Sequence, residues 1–114
     1  MANGPILDKS KAFAIRTIRL YKHLTADKKE YVISKQLLRS GTSIGANARE
    51  AQRGQSKADF RTKLNISLKE AEETDYWLDL LHETEYLTDD EYKSINNDLQ
   101  NIIRMLMSAV KHSA

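Results

Sequence analysis

The sequence predicts an all-α fold, an antiparallel up-down-up-down four-helix bundle, from three observations. Apolar residues recur at helical spacing in four stretches, each with a helix start signal. Glycine is scarce, with 4 residues, and proline occurs once, so the frequent turns of a β-sheet protein are missing. The connections are short, which favours antiparallel neighbours. The 114 residues fit a single domain, 1–114, with helices expected over 9–24, 28–53, 57–84 and 89–111.

The first helix is expected to begin after Asp8, a residue suited to the N-cap position, and to end near Leu24. Its apolar residues fall on two adjacent rows that together form a broad stripe. These rows are Phe13, Thr17, Leu20 and Leu24, and Ala14, Ile18 and Tyr21.

The second helix contains an unusual segment of small and polar residues, 40–48, that includes Gly41 and Gly45. Each glycine costs roughly 1 kcal/mol relative to alanine inside a helix. Either the helix breaks here, or the small residues allow a neighbouring helix to approach closely. We favour a continuous or slightly kinked helix, because Ile44, Ala48 and Ala51 keep helical spacing.

The third and fourth helices have clearer boundaries. Gly54 is expected to end the second helix, and Ser56 with Asp59 forms a weak capping box for the third. The third helix also has a second set of apolar residues, which favours self-association. This set is Ile66, Trp77 and Leu80. Thr88 and Glu91 form a clear capping box for the fourth helix, whose periodicity is the most regular in the chain.

Several classes of protein and site are disfavoured by composition. The chain has no cysteine, so disulfides, thiolate nucleophiles and cysteine-based zinc sites are excluded. Its three histidines, His23, His82 and His112, lie apart without matching carboxylates, and no glycine-rich phosphate loop is present. We therefore expect no metal, no cofactor, no small-molecule substrate and no enzymatic activity. The lack of a secretory signal or a long apolar run leads us to expect a cytoplasmic protein without membrane contact.

The charges are separated along the chain. Residues 35–69 hold eight bases and two acids, whereas residues 70–100 hold eleven acids and one base. One interpretation is a surface that attracts a polyanion. The other is that basic and acidic faces meet, within the bundle or between copies of it.

Two groups of polar residues are candidate sites. Five bases surround the turn between the second and third helices and could bind phosphates: Arg49, Arg53, Lys57, Arg61 and Lys63. Stacking on nucleobases is unsupported there, because Phe60 is assigned to the core. The second group is expected to form a polar network that fixes the packing of helices two and three, with Arg39 as a further partner: Ser43, Asn47, Glu50 and Glu73.

The segment 43–51 resembles the four-helix bundle proteins of the 23S rRNA intervening-sequence family. It matches their Ser-Ile-x-x-Asn-x-x-Glu signature at Ser43, Ile44, Asn47 and Glu50. The basic turn with its aromatic residue is matched by 55–60, the acidic core position of the third helix by Glu73, and the Tyr-Leu-Thr-acidic turn by 86–91. The resemblance spans roughly residues 10–110.

The resemblance implies a bundle without enzymatic activity. It also implies a homo-oligomer, and we expect that oligomer to be a pentamer. The resemblance includes accessory proteins of diversity-generating retroelements. These relatives look like homopentameric rings, whose basic surfaces engage nucleic acid and a reverse transcriptase. The preferred hypothesis is thus an oligomeric bundle that binds structured RNA or DNA, or a nucleoprotein. The alternative is a protein-protein interaction scaffold with no nucleic-acid role.

Overall fold

Four α-helices make up the fold, and the all-α prediction is confirmed. The computed structural model describes residues 4–113, and this part of the chain contains no strand. The helices are α1 (Gly4–Ala26), α2 (Ile33–Ala51), α3 (Lys57–Glu83) and α4 (Asp89–Lys111). Residues 1–3 and 114 of the predicted domain lie outside the described residues.

Consecutive helices run in opposite directions, because residue numbers that rise along one helix fall along its neighbour. The contacting pairs are Ser10–Gly45 and Thr17–Gly41 for α1–α2, Arg39–Glu73 and Glu50–Lys63 for α2–α3, and Arg61–Ser113 and His82–Asp89 for α3–α4. The helices α1 and α4 also pack together, less closely than the other adjacent pairs. The helices α1 and α3 therefore occupy diagonal positions in a bundle of 44 × 20 × 19 Å.

The core is formed by the apolar stripes of all four helices. Its largest fully buried apolar side chains are Phe13, Leu24, Leu37, Ile44, Leu64, Leu78, Leu81, Leu99, Ile102 and Leu106. The capping box of α4 is present as the sequence indicates: the Thr88 hydroxyl accepts from the Glu91 N–H, and the Glu91 carboxylate accepts from the Thr88 N–H.

The first helix begins at Gly4, earlier than expected, so Asp8 lies inside it and is not its N-cap. Pro5 is tolerated in the first helical turn, where its missing N–H would have no helical partner. The extra turn buries Ile6, which is 5% exposed, against the core. The burial of this apolar side chain explains why the helix extends past the sequence signal.

The second helix begins at Ile33, later than the expected residue 28. Lys29 has a φ of 58°, which breaks the helical path after α1. The carboxylate of Glu30, a residue 8% exposed, then accepts hydrogen bonds from three backbone N–H groups at the start of α2. These belong to Val32 (3.1 Å), Ile33 (2.9 Å) and Ser34 (2.6 Å). Glu30 therefore caps α2 from outside the helix.

The titration of Glu30 should contribute to stability. Burial by itself raises the pKa of Glu30, but the hydrogen bonds from Ile33, Ser34 and Val32 outweigh it and hold the pKa below its ordinary value of 4.5. Because the pKa is lower in the folded state, the stabilisation is complete above the unfolded-state pKa. It is lost as the pH falls through the folded-state pKa.

We expect Glu30→Gln to lower the free energy of unfolding by about 1–2 kcal/mol near neutral pH, because the charged cap becomes neutral. The difference between wild type and variant should shrink as the pH falls below 4.5. Urea unfolding at neutral and acidic pH measures both effects. Glu83→Gln, at an exposed position on α3, is the matched control. An equal loss at both pH values would contradict the assignment.

The glycine-containing segment of α2 is continuous helix and lies against α1. A Cβ at Gly41 would lie 2.7 Å from Cγ2 of Thr17, and a Cβ at Gly45 would lie 3.2 Å from Oγ of Ser10. Thr17 and Ser10 are both fully buried. The two glycines therefore permit close packing of α1 and α2, and the helix does not break there.

Candidate nucleic-acid interface

The turn between α2 and α3 is held at both ends by hydrogen bonds from backbone N–H groups. The N–H groups of Gln52, Arg53 and Gly54 donate to the last carbonyls of α2 at 3.2, 3.0 and 3.1 Å. At the start of α3, the Ser56 hydroxyl accepts from the Asp59 N–H at 3.1 Å. These contacts fix the backbone that carries the predicted basic residues.

Gly54 occupies this turn for a steric reason. The helix α2 ends at Ala51, three residues before Gly54. Gly54 also does not have the positive φ that is typical of a glycine at a helix C-terminus. A Cβ there would lie 3.1 Å from the Phe60 N and 3.2 Å from the Ala51 O. The absence of a side chain therefore lets the turn pack against the first turn of α3.

The five predicted bases separate into three free and two engaged side chains. Arg49, Arg53 and Lys57 are exposed, and within residues 4–113 no carboxylate lies within ion-pair distance of them. Lys63 Nζ lies 3.0 Å from Oε1 of Glu50, in an exposed ion pair. Arg61 is half-buried and donates from Nε to the Ser113 hydroxyl at 3.3 Å.

Two of the free bases, Arg49 and Arg53, line separate depressions at this end of the bundle. Arg53 lines a shallow pocket of about 320 Å³ with Lys63 and the acids Glu50 and Asp59. Arg49 lines a groove of about 420 Å³ between α1 and α2, and Lys11 and the acid Asp8 line the same groove. The sequence does not reveal Lys11 as a member of this surface, because only the packing of α1 on α2 brings it to the groove that Arg49 lines.

The predicted polar network does not form one unit. Asn47 donates to the Ser43 carbonyl at 2.8 Å, and the Ser43 hydroxyl donates to the Arg39 carbonyl at 2.6 Å, so both bonds lie within α2. Glu73 accepts from Arg39 at 3.2 Å, which joins α3 to α2. Glu50 is exposed and contacts Lys63 instead. Its position at the solvent edge of α2 separates it from the other three residues.

The buried polar contacts between α2 and α3 are made by residues that the network prediction left out. The Thr74 hydroxyl donates to the Ser40 hydroxyl at 2.8 Å, and the Ser67 hydroxyl donates to the Ile44 carbonyl at 2.7 Å. All three hydroxyl residues are fully buried. The sequence does contain one indication of these contacts. Ser67 lies on the apolar stripe of α3, where a buried polar side chain must find a hydrogen-bond partner.

The acids and histidines do not converge on a common site. Burial raises the pKa of Asp75 and the charge of Asp79 adds to the effect, while a hydrogen bond from Gln100 at 3.4 Å opposes it. His23 near the end of α1 contacts Asp27 in the loop that follows, and His82 contacts Asp89 at the α3–α4 turn. Among residues 4–113, no group of three or more histidine or acidic side chains is arranged to hold a metal ion. None of the helices in this part of the chain is both long and apolar enough to span a membrane.

The fold and the basic turn together define a class of protein, an all-α bundle with exposed cations gathered at one end. The chain belongs to the 23S rRNA-intervening sequence protein family, which it matches over residues 3–108. It is also similar to a protein of unknown function from the S23 ribosomal protein family of Bacteroides thetaiotaomicron VPI-5482, whose crystal structure was determined at 1.70 Å. The two share 59% identity with a TM-score of 0.92, covering 93% of this chain and 98% of the other. No curated protein matches the chain.

Proposed function

We propose that this protein is a cytoplasmic, non-enzymatic homo-oligomeric bundle that binds structured nucleic acid or a nucleoprotein through its basic turn. The observation that carries the proposal is a set of three exposed bases, Arg49, Arg53 and Lys57, at one end of the bundle, which have no ion-pair partner in the part of the chain that the structure describes. The name of the family refers to 23S rRNA, which supports RNA as the nucleic acid. The family resemblance supports a homopentamer as the assembly.

The chemistry of these residues favours contacts to the phosphate backbone. Guanidinium and ammonium groups neutralise phosphates and release condensed counterions. Phe60 is half-buried and packs against the core, so it does not offer a free ring for base stacking. Recognition would therefore depend on the shape and charge of the nucleic acid more than on its sequence.

A salt titration of binding tests the proposal. Each phosphate contact contributes about −0.9 to the slope of log Kobs against log salt for a duplex. The triple variant Arg49→Ala, Arg53→Ala, Lys57→Ala is expected to weaken binding and to make this slope less steep by about 2 to 3. Fluorescence anisotropy with a labelled RNA hairpin at several salt concentrations gives both quantities.

The control variant removes three exposed lysines from the opposite end of the bundle, Lys28, Lys29 and Lys93. It has the same loss of charge, and we expect a slope close to that of the wild type. Absence of binding by the wild type at low salt, or equal losses in the two triple variants, would contradict the proposal.

The ion pair between Glu50 and Lys63 predicts a substitution that strengthens RNA binding. Both side chains are exposed, so Glu50→Gln should change the free energy of unfolding by less than about 1 kcal/mol. The substitution releases Lys63 and removes a negative charge from the pocket that Arg53 lines. RNA binding should therefore become a few-fold tighter, with a steeper salt dependence. Weaker binding by Glu50→Gln in the same titration would contradict a phosphate site here.

The second candidate function is a protein-protein interaction scaffold with no nucleic-acid role. It is favoured by the exposed acids of α3, among them Glu72, Asp79 and Glu83, which have no basic partner within residues 4–113. In this case, acids of another copy or of a partner would cover the basic turn. The wild type would then show no binding to the RNA hairpin at any salt concentration.

A further inference from the structure

Two complementary surfaces lie on α1 and α3, which occupy diagonal positions in the bundle. The first is the α1–α4 groove, about 500 Å³ in volume, which exists because α1 and α4 pack less closely than the other adjacent helices. The second is the Tyr76 ridge on the solvent side of α3, formed by Glu72, Tyr76, Asp79 and Leu80. We propose that the Tyr76 ridge of one copy binds in the α1–α4 groove of the next copy.

The groove has an apolar floor and a basic rim. Phe13 and Ile102 form its floor, and Ile15, which is 41% exposed, forms part of its wall. Lys9 and Arg19 stand on the rim, are exposed, and have no ion-pair partner within residues 4–113. A third cation on the rim, Arg16, is already bound to Asp98 at 2.7 Å and also contacts Ser94.

The ridge has the opposite character. Tyr76 is 56% exposed, and its ring lies tilted against the ring of Trp77 at a centroid distance of 5.2 Å. Glu72 and Asp79 lie one helical turn before and after Tyr76, so they share its face of α3, and both are exposed and unpaired in the described chain. Leu80 is half-buried, one turn from Tyr76. An aromatic anchor with an acidic surround thus complements an apolar groove with a basic rim.

Geometry makes this contact intermolecular. The solvent side of α3 points away from α1, so a chain cannot insert its own Tyr76 into its own groove. Because the two surfaces differ, the contact is heterologous. Each copy binds one neighbour through its α1–α4 groove and the other neighbour through its Tyr76 ridge. This inference rests on the homo-oligomer of the proposed function and identifies the faces that would form it.

Reversal of charge on each surface tests the pairing. The groove variant is Lys9→Glu with Arg19→Glu, and the ridge variant is Glu72→Lys with Asp79→Lys. We expect the wild type to have a mass in solution of several chains, and each two-site variant to have the mass of one chain, 13.1 kDa. The four-site variant restores opposite charges across every contact and should return to the mass of the wild type. Light scattering coupled to size exclusion gives these masses.

The matched control is Lys35→Glu with Lys93→Glu, which changes the net charge as much as the groove variant does, at exposed positions on α2 and α4. It should keep the mass of the wild type. Circular dichroism melting confirms that each variant folds, and Lys9→Gln with Arg19→Gln provides a milder groove variant with an intermediate mass.

The outcomes separate this inference from the proposed function. Two-site variants that keep the mass of the wild type, or a four-site variant that stays at one chain, would overturn the pairing of groove and ridge while leaving the assembly intact. A wild type that has the mass of one chain at all concentrations would overturn both the pairing and the proposed assembly. RNA binding measured on the same samples tests the basic turn independently.

Discussion

Replacement of Leu106 by alanine is expected to lower the free energy of unfolding by about 2–5 kcal/mol. Leu106 lies on α4, is 0% exposed, and belongs to the core shared by all four helices. Its truncation removes buried methyl groups and leaves a cavity that long packed helices can close only in part. Urea unfolding followed by circular dichroism measures the loss as a lower midpoint with an unchanged m-value.

The adjacent residue provides the control. Met107 is 54% exposed, so Met107→Ala should alter the free energy of unfolding by no more than about 0.5 kcal/mol. Equal losses at positions 106 and 107 would show that the apolar stripe of α4 does not face the core as described.

Replacement of Gly41 by leucine is expected to destabilise the protein by about 3 kcal/mol. The first atom of the new side chain would lie 2.7 Å from Cγ2 and 2.8 Å from Oγ1 of Thr17. Thr17 cannot easily turn aside, because it is fully buried and its hydroxyl donates to the Phe13 carbonyl at 2.8 Å. The gain in helix propensity, roughly 1 kcal/mol, offsets only part of this steric cost. Thermal unfolding of the variant measures the net loss.

Two comparisons test the steric explanation. Gly4→Leu, at a glycine with nothing within 4 Å of the added Cβ, should be nearly neutral. Thr17→Ala removes the two atoms nearest to a Cβ at position 41. Gly41→Ala should therefore be less costly in the Thr17→Ala background, by about 1 kcal/mol in a double-mutant cycle. Additive effects of the two substitutions would refute a direct contact.

The sequence predicts those parts of the fold that depend on local signals. The start of α4 at Asp89 follows from the capping box of Thr88 and Glu91, which lie within one helical turn of each other in the chain. The start of α1 at Gly4 depends on the burial of Ile6 against other helices, which a local pattern does not report. The start of α2 depends on Glu30, which caps from outside the helix and so does not fit the usual N-cap signal.

In the candidate site, too, some features follow from local sequence and others depend on packing between helices. The clustering of bases around the α2–α3 turn follows from chain order, because residues close in sequence stay close at a tight turn. The pairing of Lys63 with Glu50 and the groove shared by Lys11 and Arg49 depend on how helices pack, so the sequence could not reveal them. The buried Ser40–Thr74 hydrogen bond joins residues 34 positions apart, and for that reason the predicted network was placed on the more exposed residues nearby.

The elongated shape of the bundle has a consequence for how it would meet a nucleic acid. Its basic turn lies at one tip of a rod 44 Å long. At the other tip the acids outnumber the lysines Lys28, Lys29 and Lys93; these acids are Asp27, Glu30, Glu83, Glu85, Asp89, Asp90 and Glu91. Such a charge distribution is an electric dipole along the rod, and a polyanion would orient the approaching molecule tip first. The footprint of each copy would then be set by the 20 Å width of the rod. At the ~3.4 Å rise per base pair of a B-DNA duplex, that width covers about six base pairs, so a long protected stretch would require several copies side by side.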